Sequence, residues 1–247
     1  MESKAEGEMQ SIAKHGKSSE ILKKPTIEAV IPTLNEAGII EETLRGVMKY
    51  VDRILVIDGH SVDETTDIAR KLGAIVVIQN DMGKGAALRE AFNCVDCDII
   101  AMIDADGSMK PEEVPLLIEA MTSDVDLVKG SRFLPRGYSE DMTFVRKIGN
   151  WLLLLLVNLL WSAKYTDLCY GFAAIRREAL KRLYPHLKSV GFEIETEIFI
   201  KAKKLGLKVI EVPSAELKRR HGKSNLKIIP DGFRIFRTIF REFIDGL

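Results

Sequence analysis

Two spacings of apolar residues alternate along the first half of the chain. Short β-branched runs are followed by segments in which apolar residues recur every three or four positions, as in Ile40, Leu44, Val47 and Val51. This alternation is typical of a parallel sheet with crossover helices. It predicts strands at residues 27–31, 54–57, 74–78, 99–103 and 127–129, and a late strand at 208–212.

Helix boundaries are marked by capping and stop residues. Residues 61–64 read Ser-Val-Asp-Glu, a capping box that predicts a helix start, and Gly73 predicts the end of that helix. Apolar residues at 88, 91, 92 and 95 predict a third helix, and Pro111 suits the first position of a fourth. Further helices are predicted from about Glu193 and about Asp231. The predicted fold is α/β, with a mostly parallel central sheet flanked by helices.

The predicted domain organisation has three parts. Residues 1–24 mix Lys, Glu, Ser and Gly without an apolar segment, so they are predicted to be a disordered tail. Residues 25–228 form the main domain, and residues 229–247 form a C-terminal amphipathic helix. A chain of 247 residues with 46% hydrophobic content is long enough for one sizeable core.

Charge and cysteine content exclude some classes of protein. Lys plus Arg and Asp plus Glu both total 36, so the net charge is zero. An excess of positive charge, as expected for binding nucleic acid, is missing, and no nucleic-acid partner is predicted. Three cysteines do not make a disulfide framework and fit a reducing cytosolic setting. Cys94 and Cys97 lack a second pair at zinc spacing, so they are interpreted as core thiols.

Two segments have the composition of a membrane-contacting surface. The apolar run 151–161 is shorter than the roughly 20 residues needed to cross a bilayer, so no transmembrane span is predicted. Tryptophans at both of its ends suit a bilayer interface. The final helix places four phenylalanines at helical spacing beside three arginines: Phe233, Phe236, Phe240, Phe243, Arg234, Arg237 and Arg241. The alternative is that both segments are core-packing helices.

Asp104-Ala105-Asp106 carries the strongest chemical signal. It directly follows the apolar run 99–103, and two carboxylates at the end of a buried strand repel each other. A divalent cation between them and a diphosphate would offset that repulsion and act as a Lewis acid. The alternative is a turn whose aspartates cap the next helix.

Seven short motifs occur in a specific order between residues 27 and 226. They are IPTLNE (31–36), DGHSVDET (58–65), GKG (83–85), DADG (104–107), GSRF (130–133), DLCYGF (167–172) and RRHGKS (219–224). In these motifs the chain resembles glycosyltransferase family 2 of the GT-A fold. Within that family it is most similar to the polyprenol-phosphate, or dolichol-phosphate, mannosyl- and glucosyltransferases.

The resemblance implies a donor site. Pro32, Asn35 and Glu36 would hold the base and ribose of a nucleotide, and Asp58 would accept from a ring N–H of uracil or guanine. Lys84, between two glycines ahead of a helix, is suited to a phosphate. The implied metal ligands are Asp104 and Asp106, and the implied cofactor is Mg²⁺ or Mn²⁺.

The resemblance also implies an acceptor site. Arg132, Arg219, Lys223 and Ser224 match positions that bind the acceptor phosphate and the donor diphosphate, and guanidinium forks suit phosphate oxygens. The residues expected to be catalytic are Asp106, Arg132 and Arg219. Substrate-binding roles are also predicted for Glu193, Glu195 and His221. The glutamates contact substrate or metal, or serve as a base for a hydroxyl acceptor, and His221 is equally compatible with a plain loop position.

These features together predict an inverting, metal-dependent enzyme. It would move a hexose from a UDP- or GDP-sugar to a polyprenyl phosphate, peripherally on the cytoplasmic face of a membrane. One alternative is a family-2 transferase to a glycan or small-molecule hydroxyl with a glutamate base. Another is a non-catalytic nucleotide-sugar binding protein. A nucleotidyltransferase is disfavoured because the Gly-rich motif expected after its first strand is missing.

Overall fold

A computed structural model describes residues 24–222 and 226–245. The strands in this part of the chain are β1 (Ile27–Thr33), β2 (Arg53–Asp58), β3 (Ile75–Ile78), β4 (Ile99–Met102), β5 (Leu127–Ser131), β6 (Tyr138–Ser139), β7 (Ala173–Arg176), β8 (Val209–Pro213) and β9 (Ala215–Glu216). The helices are α1 (Ile40–Val47), α2 (Thr65–Lys71), α3 (Lys84–Cys94), α4 (Val114–Glu119), α5 (Phe144–Trp161), α6 (Arg177–Leu183), α7 (Ile194–Lys204) and α8 (Ile228–Ile244).

Seven of these strands form one sheet, in the order β3-β2-β1-β4-β7-β5-β8. Neighbouring strands are parallel except at β7, which runs antiparallel to both β4 and β5. The mostly parallel sheet predicted from the sequence is therefore confirmed, and each predicted strand lies within a residue or two of an observed one. Strand β7 was not predicted. β6 and β9 pair in a separate two-stranded sheet.

Helices cover both faces of the sheet, which explains why strands β1, β4 and β5 are buried at almost every residue and not at alternate ones. One buried cluster joins the sheet to α3, α6, α7 and the inner side of α8. The other lies between the sheet and helices α1 and α4. Full burial of one aliphatic side chain contributes roughly 1.5–3 kcal/mol, so the two clusters fix the frame on which the loops are carried.

Helix α5 is longer than the apolar run that marks it in the sequence. It begins at Phe144, where the Thr143 hydroxyl accepts a hydrogen bond from the Arg146 backbone amide, and it continues for 18 residues. Within it only Asn150 and Val157 are fully buried. By length and composition alone, this helix is sufficient to cross a bilayer. The interpretation of this segment as an 11-residue run too short to span was therefore wrong about its extent.

Helix α8 begins at Ile228, close to the predicted start, and is fixed to α7 by buried ion pairs. Glu242 contacts the ammonium groups of Lys201 at 2.8 Å and Lys204 at 3.2 Å. The core-packing alternative therefore holds for one face of α8. The other face exposes all four phenylalanines that the sequence pattern singled out.

Candidate active site

A cleft of about 250 Å³ lies beyond the carboxyl ends of β1, β2 and β4. Sheets of this kind bind ligands at that edge because the strand ends leave a crevice between the loops that follow them. The cleft brings together seven of the predicted site residues: Pro32, Glu36, Lys84, Asp104, Asp106, Glu195 and Arg219. Most of the predicted donor site is therefore one contiguous surface.

Asp104 and Glu195 share one cation across the cleft. The Lys84 ammonium lies 2.8 Å from Asp104 Oδ2 and 2.6 Å from Glu195 Oε1. Lys84 is the first residue of α3, and the glycines on either side of it allow α3 to approach the loop before α7. A Cβ on Gly85 would lie 2.7 Å from the Ser189 carbonyl oxygen, and Gly83 has a positive φ of 109°. Backbone packing therefore places this lysine in the cleft.

Asp106 is paired with a second cation. Arg219 Nη1 donates to Asp106 Oδ2 at 3.0 Å, while Nη2 donates to Glu36. The Arg219 Nε donates to the backbone carbonyl of His221 at 2.7 Å, which orients the guanidinium. Asp106 Oδ1 also accepts from the Ser108 amide, so a tight turn holds this carboxylate. The two aspartates thus have separate basic partners on opposite sides of the cleft.

Burial perturbs the ionisable groups of the cleft. Desolvation, together with the charges of Asp106 and Glu195, raises the pKa of Asp104 to about 6, against the opposing attraction of Lys84. Desolvation also raises the pKa of Glu36, although Arg219 partly offsets it. Burial alone would lower the pKa of Lys84, but Asp104 and Glu195 outweigh burial and raise it. Six carboxylates and three basic side chains line the cleft, so it has an excess of acidic groups.

This donor set fits a hard divalent cation. The part of the chain that the structure describes contains no group of three or more metal-ligating side chains. Mg²⁺ and similar ions are commonly held by one or two carboxylates, with substrate phosphates and water completing the shell. Asp104 and Asp106 supply such a pair. The Glu36 Oε2 atom lies in the wall of the cleft, buried and without a hydrogen-bond partner among the described residues.

Asn35 and Asp58 brace the loops behind the cleft and do not line it. Asp58 is fully buried and accepts hydrogen bonds from the Thr33 hydroxyl at 3.1 Å and the Ser61 amide at 2.8 Å. Asn35 has a positive φ of 56° and its side chain accepts from the Val62 amide. The predicted base and ribose contacts of these two residues stay predictions.

The predicted capping box of α2 is not formed. The Ser61 hydroxyl contacts Asp58 at 2.5 Å and accepts from the Asn35 amide at 2.8 Å, so it is occupied between the two loops. Helix α2 begins at Thr65 without a side-chain cap from its N-terminal neighbour Glu64. The sequence pattern was wrong here because a contact between distant loops competes for the same hydroxyl.

Arg132 is the main correction to the predicted site. Its guanidinium is buried and forms a bidentate pair with Asp167, with Nε–Oδ2 and Nη2–Oδ1 distances of 2.7 and 2.9 Å. The same group donates to Glu216 at 3.0 Å and to the Cys169 carbonyl at 2.7 Å. Because these acceptors occupy the guanidinium fork, the structure does not present Arg132 to a substrate phosphate as the sequence analysis predicted.

The two glutamates left open by the sequence have different positions. Glu195 lines the cleft beside Lys84. Glu193 accepts from the Gly191 backbone amide at 3.0 Å and does not line the cleft. It orders the loop on which the glycines around Lys84 pack. Of the two, only Glu195 is placed to contact a substrate.

Three predicted residues lie near or after Arg219. His221 is exposed and contributes its backbone carbonyl to the orientation of Arg219, while its ring lies beside Gly38. This is the plain loop position that the sequence left open. Lys223 and Ser224 lie outside the described residues.

Arg146 and Asp141 are cleft residues that the sequence did not single out. Arg146 lies in the first turn of α5, and its Nη1 contacts Asp141 Oδ2 at 2.9 Å. The sequence shows a basic stretch here but gives no spacing that distinguishes Arg146 from its neighbours. A helix start at Phe144 would have placed Arg146 in the first turn of a helix. The sequence marks this helix only by its apolar run, which begins at residue 151.

The family model described as Glycosyl transferase family 2 matches residues 28–184, which is more than half of the chain. The chain belongs to glycosyltransferase family 2. The predicted GT-A fold and transferase activity are thereby confirmed. The matched segment of this family 2 enzyme contains Lys84, Asp104, Asp106 and Arg146, whereas Arg219 follows it in the chain.

Several curated relatives of this family 2 enzyme have names that describe their activity. Glycosyltransferase AglJ of Haloferax volcanii is 34% identical over 227 residues, covering 88% of this chain and 73% of that protein. A dolichol-phosphate mannosyltransferase of Pyrococcus furiosus is 32% identical, covering 81% and 59%. An undecaprenyl-phosphate mannosyltransferase of Micrococcus luteus is 30% identical, covering 80% and 86%.

A solved structure gives a geometric comparison. Glucosyl-3-phosphoglycerate synthase from Mycobacterium tuberculosis, in complex with Mn²⁺, UDP-glucose and phosphoglyceric acid, superimposes with a TM-score of 0.72. It is 26% identical, and the match covers 89% of this chain and 80% of that chain. The GT-A frame is thus known to hold Mn²⁺ and a nucleotide sugar in a protein of this similarity.

Proposed function

We propose that this family 2 enzyme transfers a hexose from a UDP- or GDP-sugar to a polyprenyl phosphate, with divalent-metal dependence and inversion at the anomeric carbon. The observation that carries the proposal is the junction between the acidic cleft and an exposed apolar helix. Arg146, in the first turn of α5, lines the cleft, while most of the following turns of that helix expose Leu and Trp side chains. Curated relatives named for dolichyl and undecaprenyl phosphates support this acceptor class.

The residues of the cleft would have three roles: binding the metal ion, binding the diphosphate and binding the nucleoside. Asp104 and Asp106 would hold the cation, which when bound neutralises charge on the departing nucleoside diphosphate. Lys84 and Arg219 are placed to bind the diphosphate oxygens as their own carboxylates engage the cation. Pro32 and Glu36 line the same cleft for the nucleoside.

The acceptor end of the cleft requires no general base. A phosphate monoester is already ionised near neutral pH, so its oxygen attacks without transfer of a proton to the enzyme. Arg146 lines the cleft and would orient that phosphate, and in-line attack from the side opposite the leaving diphosphate would invert the anomeric carbon.

The direct test is transfer in solution. Purified protein with Mn²⁺ or Mg²⁺, a set of UDP- and GDP-hexoses and short polyprenyl phosphates is expected to form a lipid-linked sugar that extracts into organic solvent. Protein incubated with a chelator is the control. Metal-dependent transfer to a soluble acceptor, with none to any polyprenyl phosphate, would contradict the proposal.

A second candidate function is transfer to a hydroxyl of a small molecule. The likeness to glucosyl-3-phosphoglycerate synthase favours it, because that structure holds phosphoglyceric acid beside UDP-glucose. In this case Glu195 would act as the base, because it lines the cleft and Glu193 does not. Its pairing with Lys84 at 2.6 Å argues against that role, since the ion pair occupies the carboxylate.

Glu195→Gln separates the two functions. With a phosphate acceptor we expect kcat to fall by less than about tenfold, because only the support of Lys84 is lost. With a hydroxyl acceptor, loss of a general base would lower kcat by roughly 10²–10⁴-fold. The measurement is initial rate against both acceptor classes, and Glu178→Gln, which breaks an exposed glutamate–lysine pair outside the cleft, serves as the matched control.

We also propose peripheral attachment to the cytoplasmic face of a membrane through α5 and α8. The two helices pack against each other and expose large apolar side chains along both. Phe233, Phe236 and Phe240 on α8 are between 47 and 67% exposed, next to the exposed cations of Arg234 and Arg237. Apolar side chains beside basic ones suit the boundary of anionic lipids.

Removing two of these phenylalanines is expected to weaken vesicle binding. Phe236→Glu with Phe240→Glu should lower the fraction bound to anionic vesicles at least about tenfold, since burying one Phe contributes roughly 1.5–3 kcal/mol. Vesicle flotation measures it. Val62→Glu, which changes an exposed apolar residue in a distant loop, is the control. Equal flotation of both variants would show that α8 does not contact the lipid.

A further inference from the structure

A second groove lies on the far side of the first turns of α5. Its volume is about 300 Å³, and it runs between α5 and the loop that follows β5. Its walls are mainly aromatic and aliphatic: Phe133, Phe144, Ile148, Trp151 and Leu154. Phe133, Ile148 and Trp151 remain 38, 43 and 59% exposed, so these side chains present a surface and do not fill a closed core.

The uncharged polar residues of the groove are already engaged with the protein. The Thr166 hydroxyl contacts Ser131 at 2.6 Å and Glu211 at 2.8 Å. The Asn150 side-chain oxygen accepts from the Cys169 amide at 3.2 Å. Because the Thr166 hydroxyl and the Asn150 side-chain oxygen are already engaged, the groove offers its occupant mainly hydrocarbon contact and few hydrogen bonds. An apolar chain is therefore a better match than a sugar or a nucleotide.

The charges at the end of the groove select a particular kind of apolar ligand. Arg146 lines the catalytic cleft, and the next residue, Lys147, lines the groove. The first turn of α5 therefore places two cations between an acidic cleft and an apolar channel. An amphiphile with a phosphate at one end and a hydrocarbon tail at the other matches this arrangement in both charge and polarity.

We propose that this groove binds the first isoprene units of the acceptor, counted from its phosphate. The inference rests on the proposed function, because it takes a polyprenyl phosphate as the acceptor. A cavity of roughly 150 Å³ accommodates one benzene, so about 300 Å³ corresponds to roughly two five-carbon units. The groove thereby gives α5 a role in acceptor selection that is separate from membrane attachment.

Trp151 supplies a direct probe of occupancy. In a Trp161→Phe variant, Trp151 is the only tryptophan of the chain, so its emission reports on the groove. Titration with farnesyl phosphate is expected to shift that emission to shorter wavelength with saturation, whereas inorganic phosphate leaves it unchanged. A straight-chain alkyl phosphate of equal length distinguishes an isoprenoid site from a general acyl site, and binding at least about tenfold weaker is expected.

A charge in the groove should block the site. Ile148→Asp is expected to weaken farnesyl phosphate binding at least about tenfold, because the farnesyl hydrocarbon would remove water from the new carboxylate, and this desolvation costs binding free energy. Leu159→Asp is the matched control, since Leu159 is on the same helix, 74% exposed and outside the groove. In transfer assays Ile148→Asp should also abolish the preference for farnesyl over a five-carbon prenyl phosphate. Circular dichroism confirms folding of both variants.

Three results would overturn the inference. One is a Trp151 emission that does not respond to farnesyl phosphate while lipid-linked sugar still forms, which leaves the proposed function intact. Another is an equal response to the alkyl and isoprenoid phosphates, which makes the groove a general acyl site. The third is an emission that changes with protein concentration alone, which makes it an interface between two copies. Absence of both transfer and any response would reject the groove and the proposed acceptor together.

Discussion

Asp106→Asn is expected to lower kcat for sugar transfer by about 10³-fold, or roughly 4 kcal/mol of transition-state stabilisation. The structure places this carboxylate in the turn that follows β4, where it accepts from the Ser108 amide and pairs with Arg219. The asparagine keeps the shape but removes the charge that would attract a divalent cation. Without that cation, negative charge on the leaving diphosphate is offset by Lys84 and Arg219 alone.

The measurement pairs activity with donor binding. Calorimetry should show that Mn²⁺ strengthens UDP binding by the native enzyme and does so much less in Asp106→Asn. Asp104→Asn should behave similarly, although Lys84 then loses one of its two partners. The control is Asp67→Asn, an exposed aspartate of α2. Unchanged metal-dependent UDP binding in both cleft variants would refute the assignment of Asp104 and Asp106 as metal ligands.

The sequence predicts the positions of Lys84, Asp104 and Asp106 in the cleft because local signals mark them, whereas Asn35 and Asp58 lie behind the cleft. The parallel strands are marked by β-branched runs, and residues at their carboxyl ends meet at one edge of the sheet. Asp104 and Asp106 directly follow such a run, and Lys84 begins a helix that its flanking glycines allow to pack closely. Each of these positions follows from the residues next to it in the sequence and from the rule that ligands bind at the carboxyl ends of parallel strands.

The acceptor side could not be predicted in the same way, because contacts between distant residues decide it. Arg132 and Arg146 lie in one basic stretch of the sequence. No local pattern shows which of the two guanidinium groups is buried in an ion pair and which lines the cleft. Asp167, 35 residues after Arg132, buries one guanidinium and leaves Arg146 at the cleft. Strand β7 was missed for a related reason. It is a short, alanine-rich segment whose strand identity comes from β4 and β5 on either side.

Arg132→Met is expected to destabilise the fold by about 3–5 kcal/mol, because it leaves Asp167 buried and ionised without its main partner. Burial would raise the pKa of Asp167, but Arg132 outweighs that effect and holds the pKa below its ordinary value. At about 2–4 °C per kcal/mol for a domain of this size, the melting temperature should fall by roughly 10 °C.

A second substitution identifies the cause of that loss. Arg132→Met combined with Asp167→Leu removes the uncompensated charge and should recover part of the melting temperature, since apolar side chains can replace a buried pair. Arg146→Met, which breaks a half-exposed pair with Asp141, should change the free energy of unfolding by less than about 1 kcal/mol and instead raise the KM for the acceptor.

The arginine that lines the cleft is therefore Arg146 and not Arg132, the residue that the sequence predicted, and we expect the two variants to differ: Arg132→Met in stability and Arg146→Met in acceptor KM. If Arg132→Met kept its melting temperature and raised the acceptor KM, the guanidinium would be a substrate ligand that leaves Asp167 during turnover. If it unfolds at lower temperature with an unchanged KM, Arg132 supports the loop from Asp167 to Gly171. That loop forms one wall of the cleft through Cys169, Tyr170 and Gly171, so a buried ion pair beneath it fixes the shape of that wall.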